Sequence, residues 1–152
     1  MNDGQAVTTK RTFSRETTIS ADIQAPPAVV WALLTNAPDY ARWNSTVISV
    51  DGDIKPENRI ALKSTLDESR TFDLTVKEFD PERQLVWGDR MGDRTYALNE
   101  IEGERTRFTM TEKIGGPLFP LFSRFIPPFD ESFEQFVADL KKEAESAPKV
   151  ES

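Results

Sequence analysis

Apolar and polar side chains alternate along most of this chain, and the places where the period changes divide it into elements. Over residues 13–24, Phe13, Arg15, Thr17, Ile19, Ala21 and Ile23 share one face, with Ser14, Glu16, Thr18, Ser20 and Asp22 on the other. Period two of this length marks a strand covered on one side. Ala25-Pro26-Pro27 stops it. Proline is tolerated at the first helical position, where the N–H has no intrahelical partner, so a helix over 27–35 is expected, with Val30, Trp31, Leu33 and Leu34 as its apolar part. Asn36-Ala37-Pro38 breaks it, and a second short helix over 39–43 completes a corner. Alternation then resumes. Strands are expected at 46–50, 59–66, 70–79, 84–91, 94–101 and 105–114. Turn signals separate them at Asp51-Gly52-Asp53, Asp80-Pro81-Glu82-Arg83, Gly92-Asp93 and Glu102-Gly103-Glu104.

The period changes for the last time at 129–140, where Phe129, Phe133, Phe136, Val137 and Leu140 recur at helical spacing. Asp130, Glu131 and Glu134 fall in the first turns, where the helix dipole favours anions, and Lys141 and Lys142 fall near the end. Short links between the strands imply an antiparallel meander with one apolar face, and this helix is the only long element available to cover it. The pattern therefore predicts an α+β fold: a curved antiparallel sheet of about seven strands wrapped around a long C-terminal helix, with two short helices after the first strand. The polar ends are expected to be a disordered lead-in over 1–11 and a disordered tail over 147–152, flanking a single domain over 12–146.

Composition narrows the chemistry. The 152 residues carry a formal net charge of −7, and no basic stripe offsets it, which argues against nucleic acid as a partner. There is no Cys and no His. That excludes thiol chemistry and any site built on histidine, the commonest general base and metal ligand. No cofactor and no metal are expected. The acidic groups Asp67-Glu68, Asp51/Asp53 and Glu100/Glu102/Glu104 lack the ligand order of a calcium loop and read as solvated turns. No run approaches the roughly 20 apolar residues that cross a bilayer, and the N-terminus lacks the apolar core of a secretory signal. A cytoplasmic protein is expected.

The stretch Ile23-Gln24-Ala25-Pro26-Pro27-Ala28-Val29-Val30-Trp31-Ala32-Leu33-Leu34-Thr35, continuing to Tyr40-Ala41-Arg42-Trp43-Asn44, resembles the opening of SRPBCC (START/birch-pollen-allergen-like) proteins, nearest to their polyketide cyclase/dehydrase-like branch. Val76-Lys77-Glu78-Phe79-Asp80-Pro81-Glu82-Arg83-Gln84-Leu85-Val86-Trp87 is similar to that superfamily's strand, Asp-Pro turn and Trp strand. Phe108-Thr109-Met110-Thr111-Glu112 followed by Gly115-Gly116-Pro117 resembles its last strand and glycine-rich exit. The likeness covers about residues 13–145 and implies the helix-grip fold, with a cavity between the concave sheet face and the last helix. The superfamily includes lipid carriers, hormone binders, cyclases, quinone-binding proteins and chaperone-ATPase activators, so it implies no single function.

Strand parity supplies the candidate cavity wall: Phe72, Leu74, Trp87, Tyr96, Leu98, Phe108 and Met110 from the sheet, with Phe133 and Phe136 from the helix. Such a wall suits a small hydrophobic or aromatic ligand, lipid, polyketide-like or quinone-like; the same side chains can instead meet and fill the interior. Tyr96, Asp89 and Glu112 are the inward polar candidates for acid–base work. No catalytic motif of the superfamily carries over onto them. Arg15 and Glu112 lie on strands expected to be neighbours, so they form either a buried pair or a solvated rim ion pair. Trp31 and Trp43 read as packing in the helical corner. The apolar stretch 118–126, bounded by Leu118 and Ile126, is expected to pack as a lid or to offer a membrane or protein contact. Hydrophobic-ligand binding is the leading expectation. The alternatives are a cofactor-free cyclase or dehydratase on a polyketide-like substrate, and a protein-interaction module like the heat-shock ATPase activators.

Overall fold

In the computed structural model, which describes residues 3–146, the alternating segments form β1 (Val7–Lys10), β2 (Ser14–Ile23), β3 (Val47–Asp51), β4 (Arg59–Ser64), β5 (Asp67–Asp80), β6 (Gln84–Gly88), β7 (Gly92–Ile101) and β8 (Arg105–Gly115). All pair antiparallel in one eight-stranded sheet, ordered β1-β2-β8-β7-β6-β5-β4-β3. After β2 come α1 (Pro27–Thr35), a 3-10 turn (Ala37–Asp39) and α2 (Tyr40–Trp43). After β8 come the single-turn α3 (Phe119–Phe122), a second 3-10 turn (Ser123–Phe125) and the long α4 (Asp130–Ser146). The sheet-and-helix arrangement expected from the hydrophobic pattern is present. The expected tail at 147–152 lies outside the described residues.

The strand count differs from the expected seven because of β1. Residues 7–10 fall within the expected disordered lead-in, yet they pair with β2 from Val7↔Thr18 to Lys10↔Arg15. The Thr8 hydroxyl donates to Asp130 Oδ1 at 2.7 Å, and the Ala6 N–H donates to Glu134 Oε2 at 3.0 Å. Backbone pairing and these two ties to α4 hold the strand, and neither leaves a hydrophobic period in a four-residue segment. Phe13, expected on the inner face, precedes β2 and is largely exposed.

Two turns also lie elsewhere than expected. Thr65 and Leu66 link β4 to β5, so Asp67 and Glu68 open a strand instead of forming a turn. Gly92 begins β7, and the β6–β7 turn sits before it. There Asp89 Oδ1 accepts from the N–H groups of Met91 (2.8 Å) and Gly92 (3.2 Å), and Met91 is partly exposed. Gly92 is required by close approach: a Cβ there would stand 2.2 Å from the Lys113 carbonyl oxygen.

Register aligns the inward side chains in rows. One row runs Ile19, Met110, Tyr96, Leu85, and a second runs Ala21, Phe108, Leu98. A third runs Thr17, Glu112, Arg94, Trp87, Val76. Helix α4 starts near Arg15, and at its far end Glu145 Oε2 accepts from the Gln24 N–H at 2.8 Å, so it lies along β2. Its buried stripe is Phe133, Phe136, Val137, Leu140 and Ala144. The corner closes the other side. Trp31 meets Phe79 edge-on at 5.2 Å, and Trp43 meets Phe136 at 6.0 Å, which gives both tryptophans the packing role expected of them. Asn44, fully buried beside Trp43, donates to the Phe136 carbonyl and accepts from the Thr46 N–H and hydroxyl.

Candidate functional site: a cavity beneath the last helix

Ile19, Ala21, Tyr96, Leu98 and Phe108 are buried at 4% exposure or less, and α4 runs along β2 over this part of the sheet. Toward Arg15 the sheet and the start of α4 diverge, and a cavity of about 190 Å³ remains between them. Among the expected wall residues, Phe72, Leu74, Trp87 and Met110 line it from the sheet, and Phe133 and Phe136 from α4. Tyr96, Leu98 and Phe108 do not. They sit deeper, at 0%, 4% and 0% exposure, with Phe136 stacked on Tyr96 at 5.8 Å. Parity places a side chain on the concave face without saying how far the helices reach over it, and Phe136 of α4 closes directly onto Tyr96.

Leu62, Ser64, Leu66, Asp67 and Arg70 line it on the β4–β5 side, and the segment between β8 and α4 adds Phe125, Ile126, Pro127 and Phe129. Arg15 holds this segment in place. It donates to the Ile126 carbonyl at 3.2 Å and the Pro127 carbonyl at 2.7 Å, and its guanidinium lies 4.6 Å from the centre of the Phe129 ring. The expected Arg15–Glu112 pair does not form. Register sets Arg15 opposite Ile114 and Glu112 opposite Thr17, so the two side chains are offset along the strands. Nor is Arg15 a solvated rim residue, being 7% exposed. Burial lowers its pKa, partly opposed by the charges of Glu112 and Asp130. Further out on the same segment, Leu118, Leu121 and Phe125 are 64–72% exposed while Phe119 is buried.

Glu112 pairs instead with Arg94, which stands opposite it on β7. Arg94 Nε donates to Glu112 Oε1 at 2.6 Å, and both line the cavity. Their side chains are 17% and 18% exposed, so the pair is screened from bulk solvent yet open to the cavity. The guanidinium also lies 5.0 Å from the centre of the Phe133 ring. Burial disfavours its charge, but the neighbouring Glu112 carboxylate and Tyr96 hydroxyl together hold the Arg94 pKa above its ordinary value. Behind it the Tyr96 hydroxyl is buried without a hydrogen-bond partner among the described residues, near Arg94 but outside bonding geometry. Burial raises the Tyr96 pKa, with Arg94 pulling the other way.

Arg94 was not among the residues singled out by pattern, although it shares parity with Tyr96 and Leu98. Asp89 reaches the cavity mouth, but its Oδ1 is engaged by the two N–H groups of its own turn. Among the described residues, no three His, Cys, Asp or Glu side chains are grouped to hold a metal, and no helix is long and apolar enough to cross a membrane.

The sequence matches, over residues 14–145, the family described as polyketide cyclase/dehydrase and lipid transport. No curated protein matches it. Several solved structures are similar. A conserved protein of unknown function from Enterococcus faecalis is 13% identical, with a TM-score of 0.68 over 93% of this chain and 77% of that one. An aromatase/cyclase from a Streptomyces species is 16% identical, with a TM-score of 0.65 over 87% and 94%. A START superfamily protein from Mycobacterium smegmatis is 10% identical, with a TM-score of 0.62 over 86% and 97%. At such identities these are likenesses of fold.

Proposed function

The chain belongs to the polyketide cyclase/dehydrase and lipid transport family, and on that premise we propose that it binds a small hydrophobic or aromatic molecule between the sheet and α4. The observation that carries this reading is the cavity itself, about 190 Å³ and walled mainly by Phe72, Leu74, Trp87, Met110, Phe133 and Phe136. Burial of a ligand's apolar surface there is worth about 25 cal/mol per Å² before the costs of ordering it. A cavity of roughly 150 Å³ accommodates benzene, whereas drug-sized ligands occupy roughly 300–1,000 Å³. The volume therefore suits a compact ligand, or part of a longer one.

Native mass spectrometry of freshly purified protein, followed by denaturing extraction, tests the proposal. The expected result is a co-purified small molecule. No adduct, together with no thermal shift across a panel of lipids, quinones and flavonoids, would overturn it.

A second reading is a cofactor-free cyclase or dehydratase, favoured by the ion pair that Arg94 and Glu112 set into the cavity wall. Glu112 would move a proton at its free oxygen, with Arg94 holding the carboxylate in place and polarising a substrate carbonyl. Under this reading Glu112→Gln loses about 10²–10⁴-fold in turnover of any substrate found, while ligand binding persists. Full turnover by that variant would leave Glu112 with a binding role only.

A further inference from the structure

Arg94 has more donors than its surroundings use. Its Nε is committed to Glu112 Oε1, and the guanidinium lies close to the Tyr96 hydroxyl, but Nη1 and Nη2 make no hydrogen bond within bonding geometry among the described residues. On the partner side, Glu112 Oε2 receives no donor among the described residues. The pair therefore presents unused donors and one unused acceptor side by side on a wall that is otherwise largely aromatic and aliphatic. Thr17, next in the same row, adds nothing: its hydroxyl is fully buried and shares a 2.8 Å hydrogen bond with Thr8.

Electrostatics decides what can sit there. An anion reaching Arg94 would also face the Glu112 carboxylate, and a cation reaching Glu112 would face the guanidinium, so neither gains a full partner. A neutral carbonyl or hydroxyl meets no such conflict. A carbonyl oxygen accepts from Arg94 Nη; a hydroxyl does the same and donates its proton to Glu112 Oε2. Flat rings also suit the neighbouring surface, because Phe133 and Trp87 flank the guanidinium.

We infer that the Arg94–Glu112 pair is a recognition site for a neutral carbonyl or phenolic hydroxyl carried on a compact one- or two-ring skeleton. This rests on the cavity-binding reading and narrows it, excluding extended acyl chains and carboxylates as the preferred ligands. Arg94 acts as the specificity determinant and Glu112 as the residue that fixes its orientation and rejects anions.

Three probes on one ring skeleton test it by calorimetric titration: naphthalene, 1-naphthol and 1-naphthoate. In the unmodified protein 1-naphthol is expected to bind on the order of tenfold or more tighter than naphthalene, the usual gain of a hydrogen bond to a charged group. Naphthoate is expected to bind more weakly than naphthol. In an Arg94→Met/Glu112→Met double variant, which leaves neither a lone buried charge nor a hydrogen-bonding group at the pair, the preference for naphthol over naphthalene should shrink to within about twofold. Equal binding of naphthalene and naphthol by the unmodified protein would overturn the inference and leave the cavity reading intact, as would naphthoate binding tightest. Failure of all three probes to bind would overturn both. The three-probe comparison needs no variant, so it decides the matter even if the double substitution prevents folding.

Discussion

Replacing Phe136 by alanine is expected to lower the free energy of unfolding by about 3–5 kcal/mol, the range for a fully buried phenylalanine. Phe136 is 1% exposed and sits where three parts of the fold meet. Its ring stacks on Tyr96 of β7 at 5.8 Å and reaches Trp43 of α2 at 6.0 Å and Tyr40 at 6.5 Å. These neighbours are rigid aromatics on separate elements, so they cannot collapse into the space the ring vacates, and the cavity term adds to the lost transfer energy. Since a domain of this kind is stable by about 5–15 kcal/mol in all, the variant should be close to marginal. Urea unfolding followed by far-UV circular dichroism measures the change. Phe125→Ala is the control: that side chain is 70% exposed, and the expected change is within about 0.5 kcal/mol. A loss below about 1 kcal/mol for Phe136→Ala would mean that α4 does not seal the deep rows of the sheet.

Leu74→Trp should remove ligand binding while leaving the fold in place. Leu74 is partly buried on β5 and lines the cavity alongside Phe72. An indole at that position extends into the void rather than into packed core, so the strain of overpacking falls mainly on the ligand-bound state. Forcing atoms into occupied volume costs about 1–3 kcal/mol, which corresponds to roughly a fivefold to 150-fold loss of affinity. The readout is titration with whatever molecule co-purifies, or with 1-naphthol, beside a melting curve of the free protein. Unchanged affinity in a folded Leu74→Trp protein would place the ligand elsewhere on the molecule. An increase in melting temperature of the free protein is compatible with the reading, because filling a void stabilises.

Alternation made the concave face legible. Because the period of a strand is two, Ile19, Met110, Leu85 and Trp87 could be assigned inward without any knowledge of their neighbours, and the aromatic stripe of α4 announced what covers them. Relations across strands were not legible in the same way. Pairing Arg15 with Glu112 required the register of β2 against β8, and an offset of two residues along the strands leaves Glu112 to Arg94 and turns Arg15 toward the Ile126 and Pro127 carbonyls. Arg94 shares parity with Tyr96 and Leu98, but parity does not show that a carboxylate stands opposite it, and the Glu112 partner is what makes its inward position tolerable. The depth of the cavity was invisible for a similar reason. Tyr96 and Trp87 are equivalent in pattern, and whether α4 touches one or stands off from the other depends on its tilt across the sheet. β1 escaped notice because backbone hydrogen bonds hold it and its side chains carry no period.

The pairing of β2 with β8 also bears on how the chain is made. Residues 14–23 have no central neighbour until residues 105–115 exist, and the concave face has no cover until α4 follows. At a synthesis rate of about 5–20 residues per second, the aromatic floor formed by Trp87, Tyr96 and Phe108 waits several seconds for its lid after leaving the ribosome tunnel. Sheets dominated by such distant contacts close slowly. During that interval the nascent sheet is a sticky, half-finished surface, and the chain's net charge of −7 is what opposes its association with like chains.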